Sequence, residues 1–316
     1  MALQVVKAKP RTPPLRCILF GPVGSWKTST YAHAQKALWI DLHGSTAVLT
    51  TQPDCAFEPL KGDRPENFPA YIDMLRDVSQ MRGEYDSVIT DGLDDVYRHY
   101  IIPEALRMTK CSTLGENYGK PMDAVVSLTH QVVAAYEALY SNGFNVLFTA
   151  HDQLIERINP EGVNFMVTEL DAPYQAGKVG KWDCPSLWRD WVDVCAYLTV
   201  EGRSIVKREG DKLAKATGDA DARHVAYLRI EAWLDSPKGR RLERVKSPLS
   251  IGSPRDLWEA IYGGWRNSFD PSALKTEAQS HLGRLPEEQQ TKLRAYLDTP
   301  GRTAEELLAV LRTLTK

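Results

Sequence analysis

The chain has 316 residues, 43% of them hydrophobic and 25% charged, which is enough apolar material for one large domain or two smaller ones. A formal net charge of −2 excludes a protein that holds nucleic acid by bulk positive charge; any such contact must come from a local basic surface. The five cysteines form no CxxC pair and no zinc-type spacing, which argues against a disulfide framework or zinc site and for reduced thiols in a cytoplasmic protein.

Residues 1–14 are basic and Pro-rich and read as an extended arm, without the apolar stretch of a signal peptide. No apolar run approaches the roughly 20 residues that span a bilayer, so no membrane contact is expected. Leu15 to Phe20 reads as a buried strand ended by Gly21-Pro22, and Thr28 to Gln35 as the start of a helix. Leu38 to Leu42 is a second strand and 52–67 a loop. Phe68 to Met81 has helical spacing through Tyr71, Ile72, Leu75 and Val78. Tyr85 to Asp91 is a third strand, 103–120 a long loop, Pro121 to Asn142 a helix and Asn145 to Ala150 a fourth strand. This alternation predicts an α/β fold with a mostly parallel sheet.

After His151 the pattern changes. Val163 to Leu170, Val192 to Val200, Arg203 to Lys207 and Val225 to Trp233 read as strands without long helices between them, which suggests an antiparallel extension. Pro254 to Tyr262 reads as a helix. Helical patterning at 272–282, 286–298 and 303–314 predicts a small C-terminal helical appendage, the last two segments forming a hairpin. The expected domains are the arm 1–14, a nucleotide-binding domain over 15–266 and the helical hairpin over 267–316.

The segment Gly21-Pro22-Val23-Gly24-Ser25-Trp26-Lys27-Thr28-Ser29 lies between a predicted strand and a predicted helix, the context a phosphate-binding loop requires. Its backbone N–H groups and the helix start would cradle phosphates. Lys27 would meet the β- and γ-phosphates of ATP, and the Thr28 hydroxyl would hold Mg²⁺. One position departs from the usual pattern: Trp26 stands where a glycine normally precedes the lysine. That glycine commonly takes a conformation a Cβ disfavours, so the indole must project away from the phosphates or reshape the loop. Asp91 ends an apolar strand and is the expected Mg²⁺-holding carboxylate; Asp94 and Asp95 share that role or flank the next helix.

GPVGSWKTS, LWIDLHGS, YDSVITDGLDDV and NVLFTAHDQ, in that order over about residues 15–250, resemble the RecA-like P-loop ATPases of the AAA-type phage nucleotide-binding protein family. Some members of that family are single-strand annealing recombinases. The resemblance implies a RecA-like core, ATP and Mg²⁺ as cofactors, homo-oligomers, and a place in the cytoplasm, the host's if the chain is phage-encoded. It also implies catalytic roles for Lys27 and Asp91, and for two histidines. His43 stands where the Glu of an Asp-x-Glu pair beginning at Asp41 would activate water; His151 stands where a polar residue senses the γ-phosphate, or else caps a strand end. With Trp26 and His43 at two places on which hydrolysis depends, slow or absent turnover is expected.

By the same resemblance two loops, about 103–120 and 152–185, would contact single-stranded DNA. Lys178, Lys181 and Trp182 in the second suit base stacking and phosphate neutralisation, although Trp182 equally suits core packing. Arg240 and Arg241 in KGRRLERVK would contact phosphates, serve a neighbour's nucleotide, or line a solvated hairpin. The helical tail is a candidate docking site for a single-strand-binding protein. The leading reading is an ATP-dependent recombination or annealing protein. A degenerate P-loop module of a phage or mobile-element assembly, and a small-molecule kinase, remain as alternatives. ATP is not distinguished from GTP.

Overall fold

In the computed structural model the described residues are 12–58, 63–158, 163–175, 182–203, 218–229, 231, 234, 237–239, 241–242 and 245–314. They divide into two compact units. The larger comprises Pro14–Arg240 and Ser247–Trp258; the smaller comprises Met1–Pro13, Arg241–Lys246 and Glu259–Lys316.

In the larger unit, β1 (Arg16–Phe20) runs into the Gly21–Trp26 loop and α1 (Lys27–Tyr31). Next come β2 (Ala37–Asp41), a tight helical turn at Ser45–Val48, β3 (Asp54–Cys55) and α2 (Phe68–Ser79). β4 (Ser87–Asp91) leads through α3 (Leu93–Val96) and a widened helical turn at Tyr97–Ile101 into α4 (Ile102–Thr109). The long α5 (Lys120–Ser141) precedes β5 (Asn145–Ala150), and β6 (Asp152–Ile158) with β7 (Asn164–Leu170) forms a separate two-stranded hairpin. α6 (Cys184–Trp191), β8 (Val194–Arg203), β9 (Gly218–Tyr227), β10 (Lys238–Gly239), β11 (Leu249–Ile251) and α7 (Pro254–Trp258) complete the unit.

The main sheet has the order β11-β9-β8-β1-β5-β4-β2-β3, with β10 also paired to β8. From β8 to β3 every pairing is parallel; β9, β10 and β11 are added antiparallel. This is the expected α/β class: a mostly parallel core sheet with an antiparallel β extension and C-terminal helices. Every residue of β4 and β5 is buried, as expected for parallel strands covered on both faces. The register sets Asp41 beside Asp91, Asp91 beside Thr149, and Phe20 beside Ala150. Four strands therefore end level, and the chain leaves each of them on the same edge, where α/β sheets place their ligands.

The sheet is clamped from behind by α5. Its Tyr136 is fully buried, and its hydroxyl lies 2.6 Å from both the Tyr71 hydroxyl of α2 and Thr90 Oγ1 of β4. Phe148 meets both Tyr136 and Trp188 edge to face, with ring centroids 4.7 and 5.2 Å away. At the opposite end of β1, the Arg16 guanidinium donates to both carboxylate oxygens of Asp193 at 3.1 Å, a forked pair that fixes β8 against β1.

Two loop expectations are corrected. Half of 103–120 is helix: Pro103 lies in the first turn of α4, Glu104 follows it, and Lys110 closes the helix in a left-handed conformation. Proline at a helix start needs no N–H partner, so here it opens a helix where a loop was expected. Nor do the described residues of 152–185 form one loop: the strand expected over 163–170 is present as β7, and β6 is its partner. β6 and β7 pair over seven positions, from Asp152 with Leu170 to Ile158 with Asn164. α6 then starts at a side-chain cap, where Asp183 accepts from Ser186 N at 3.0 Å.

The smaller unit contains α8 (Gly264–Asn267), α9 (Pro271–Ser280), α10 (Glu287–Asp298) and α11 (Ala304–Leu314). The last three share one apolar cluster through Leu274, Leu293, Leu297, Leu307, Leu308 and Leu311. The three helical segments expected in the tail are thus all present and share one core. A 12-residue helix is marginal in isolation and holds by packing its apolar stripe.

Tyr136→Phe should strand the Tyr71 and Thr90 hydroxyls in a dry core. The expected loss is about 1–3 kcal/mol, read as a lower urea midpoint at unchanged slope; an unchanged midpoint would show that the two hydroxyls find other partners.

Candidate functional site

The Gly21–Trp26 loop begins where β1 is pressed against its neighbour. Gly21 has φ 147°, and a Cβ there would lie 2.0 Å from the carbonyl oxygen of Leu198 in β8, so no side chain fits. At the loop's end Trp26 takes the left-handed conformation, φ 72° and ψ 16°. A residue with a Cβ is held there at a cost of about 1–2 kcal/mol. The indole projects from the loop onto His224 of β9, with rings 3.4 Å apart and 12° from parallel. The stack offsets the backbone strain, so Trp26 keeps the backbone shape a glycine would give.

Lys27 is buried, and its ammonium donates to the carbonyls of Gly21 at 2.7 Å and Pro22 at 2.9 Å. Burial lowers its pKa, against the pull of Asp91, Asp152 and Asp94. Thr28 Oγ1 donates to Asp91 Oδ2 at 2.9 Å. The Asp91 carboxylate also accepts short hydrogen bonds from Ser45 Oγ and Thr149 Oγ1. Burial pushes the Asp91 pKa up, and these three hydroxyls oppose the shift. Thr28, Ser45 and Asp91 form an all-oxygen set, the donor chemistry a hard divalent cation such as Mg²⁺ takes.

Asp41 does not take part in that set. Its carboxylate accepts from the backbone N–H groups of His43 at 3.1 Å, Gly44 at 2.7 Å, Ser45 at 3.2 Å and Thr46 at 2.8 Å. It is spent on folding the turn after β2, and that turn presents His43 and Ser45. Asp41 therefore organises a loop instead of addressing a water directly.

Two histidines face each other across the cleft, ring centroids 5.8 Å apart, and each is backed by a carboxylate. His43 Nδ1 lies 3.1 Å from Asp95 Oδ2, and Arg98 donates to the other Asp95 oxygen at 2.9 Å. His151 Nδ1 lies 2.9 Å from Asp94 Oδ2, and its backbone N–H donates to Oδ1 at 3.2 Å. The Asp94 hydrogen bond raises the His151 pKa, against burial. Burial would raise Asp94, but the bonds and charge of His151 outweigh it and hold the carboxyl below its ordinary range.

The loop, Ser45, Asp91, Thr149 and both histidines line one cleft of about 250 Å³. The structure thus brings together Lys27, Thr28, His43, Asp91 and His151. The nucleic-acid candidates fare differently. Trp182 is only 2% exposed; its ring covers Gly119, and its Nε1 donates to Asp123 at 2.8 Å, so no face is offered for stacking. Arg241, in the smaller unit, lies over the Phe269 ring at 4.2 Å and pairs with Glu305 at 3.3 Å. Lys178, Lys181 and Arg240 lie outside the described residues. Sequence reasoning missed Ser45 and Thr149; the available signal was a hydroxyl residue just past, or one before, the end of a strand flanking Asp91.

The His151–Asp94 pair makes stability depend on pH. Its contribution is complete between the unfolded values, 3.8 for Asp and 6.5 for His. It is lost upward as pH passes the raised folded pKa of His151, and downward as pH passes the depressed folded pKa of Asp94. The melting-temperature gap between wild type and His151→Gln should be widest at about pH 5–6 and narrow toward about pH 9; a gap that stays constant would show that the pair is not ionic.

Among curated proteins none matches the sequence. Solved structures with an overlapping path include a KaiC-like protein from Pyrococcus horikoshii OT3, 12% identical, covering 76% of this chain and 87% of that one, TM-score 0.37. Another is the flagellar accessory protein FlaH from Methanocaldococcus jannaschii, 10% identical, covering 72% and 83%, TM-score 0.28. The AAA domain family profile matches residues 13–229, which span both histidines, the Gly21–Ser29 loop and Asp91, and the chain belongs to that family of P-loop ATPases.

Proposed function

We propose that the chain binds ATP with Mg²⁺ and acts on single-stranded DNA, in recombination or annealing of the phage type. The observation that carries nucleotide binding is the Thr28–Asp91 hydrogen bond beside Lys27, where β1, β4 and β5 end level. Lys27 releases the loop carbonyls and turns its ammonium to the β- and γ-phosphates; its desolvation is compensated by their charge. Thr28 and Asp91, joined by Ser45, would hold Mg²⁺ through their oxygens. Bound Mg²⁺ would neutralise charge developing on the phosphates. His151, whose pKa the Asp94 hydrogen bond raises, stands on the side of the cleft where the γ-phosphate would sit. The DNA reading is supported by the order of the four sequence motifs; Trp182 and Arg241, both engaged internally, lend it nothing.

A second reading, nucleotide binding without turnover, is favoured by the turn after β2. Asp41 is consumed by the backbone, and His43 supplies the one titratable side chain of that turn. An imidazole oriented by Asp95 positions water less effectively than a carboxylate at the same place.

Lys27→Ala should weaken ATP·Mg²⁺ binding roughly 10- to 150-fold, the worth of a charged hydrogen bond, measured by titration of a fluorescent ATP analogue. Turnover stimulated by single-stranded DNA supports the recombinase reading, and binding without turnover in either condition supports the second. His43→Glu should then raise turnover; no rise would remove position 43 from the water-activating role. Equal binding by wild type and Lys27→Ala would refute the nucleotide site itself.

A further inference from the structure

We propose that a second cavity, adjoining the phosphate cleft, is a pocket for a single nucleobase. This rests on the reading that the chain engages single-stranded nucleic acid together with ATP. The cavity has a volume of about 610 Å³ and shares Asp94 with the phosphate cleft. Small-molecule sites commonly span about 300–1,000 Å³.

Its lining has two kinds of surface. Ile102, Leu114, Pro173 and Tyr174 give flat apolar walls. Gln175 and Asp171 add an amide and a carboxylate, chemistry that reads the edge of a base, while the Gln153 amide nitrogen is given to the carbonyls of Leu170 and Ala172 and Arg98 to Asp95. Asp94 and Asp171 add carboxylates to a lining in which Arg98 is already paired with Asp95, so the neutral, planar end of a nucleotide suits it better than a phosphate.

The position gives the pocket a consequence for the nucleotide site. Asp94 accepts from the His151 backbone N–H and lies 2.9 Å from its ring nitrogen, while the Asp171 N–H donates to the His151 carbonyl at 3.0 Å. Both carboxylate residues line the cavity. An occupant therefore touches the two residues that fix His151, and base binding and γ-phosphate binding are linked, each changing the other's affinity by the same factor.

The loop wall offers a clean way to fill the cavity. Gly115 lines it, a Cβ there meets no atom within 4 Å, and its φ lies outside the left-handed range. Gly115→Trp adds an indole to the cavity's lining at a position away from the phosphate loop and the buried core.

The experiment uses the full chain with ATP and Mg²⁺ and two probes: an oligodeoxynucleotide carrying one 2-aminopurine, and free 2-aminopurine deoxyriboside. Stacking in the pocket should quench the fluorophore, and Gly115→Trp should weaken that response about tenfold or more while retaining binding of a fluorescent ATP analogue. Asp171→Asn, which keeps the volume, should change the preference among bases in competition. Quenching of the strand probe alone identifies a strand as the source. Quenching by the deoxyriboside, with no strand retained in fluorescence anisotropy, overturns the nucleic-acid reading and leaves base recognition standing. Strand binding with no quenching, and no effect of Gly115→Trp, overturns the pocket and leaves the nucleic-acid reading standing. If neither probe binds, both fall.

Discussion

The Asp91 carboxylate, buried at the end of a central parallel strand, is the constraint on which the site depends. An ionised carboxylate removed from water must be matched by donors, and here the donors are hydroxyls from three other segments: Thr28 after the loop, Ser45 after β2 and Thr149 on β5. Those bonds draw α1, the β2 turn and β5 to one point. The geometry exists because the sheet is parallel and in register, so that Asp41, Asp91 and Thr149 end level on neighbouring strands. Burial alone would favour the protonated acid; the hydroxyls oppose that tendency and leave an all-oxygen centre beside the Lys27 ammonium.

Around that centre the chain departs from the usual pattern in ways that are locally compensated. Trp26 keeps a backbone shape suited to glycine because its indole finds His224 on the antiparallel extension. The phosphate loop is thereby tied to a part of the sheet that the parallel core does not require. Asp41 is withdrawn from chemistry and builds the turn that delivers Ser45 to Asp91 and His43 to Asp95. The two His–Asp pairs then stand opposite each other, and in the His151 pair the hydrogen bond to Asp94 favours the protonated form against burial.

The parallel core was legible because its strands are short apolar runs closed by punctuation: Gly21-Pro22 after β1, Asp91 at the end of β4, His151 after β5. The phosphate loop was legible because glycines, Lys27 and Thr28 fall between a strand and a helix. The segments read as loops failed for identifiable reasons. Pro103 looks like a breaker, yet a helix start is the place where its missing N–H costs nothing. In β6 the period-two signal is blurred by exposed apolar residues such as Leu154, and the strand exists through pairing with β7.

The sequence by itself determined the α/β class, the phosphate loop, its lysine and hydroxyl, and the carboxylate on the third predicted strand. These follow from local patterns: periodicity, turn chemistry and spacing within a few residues. Only the tertiary structure decided that Trp26 points away onto His224, that Ser45 and Thr149 converge on Asp91, that Asp41 serves the backbone and that Trp182 is core. Each of these depends on which strands lie side by side and in what register, a property of residues up to about two hundred positions apart in the chain that no local pattern encodes.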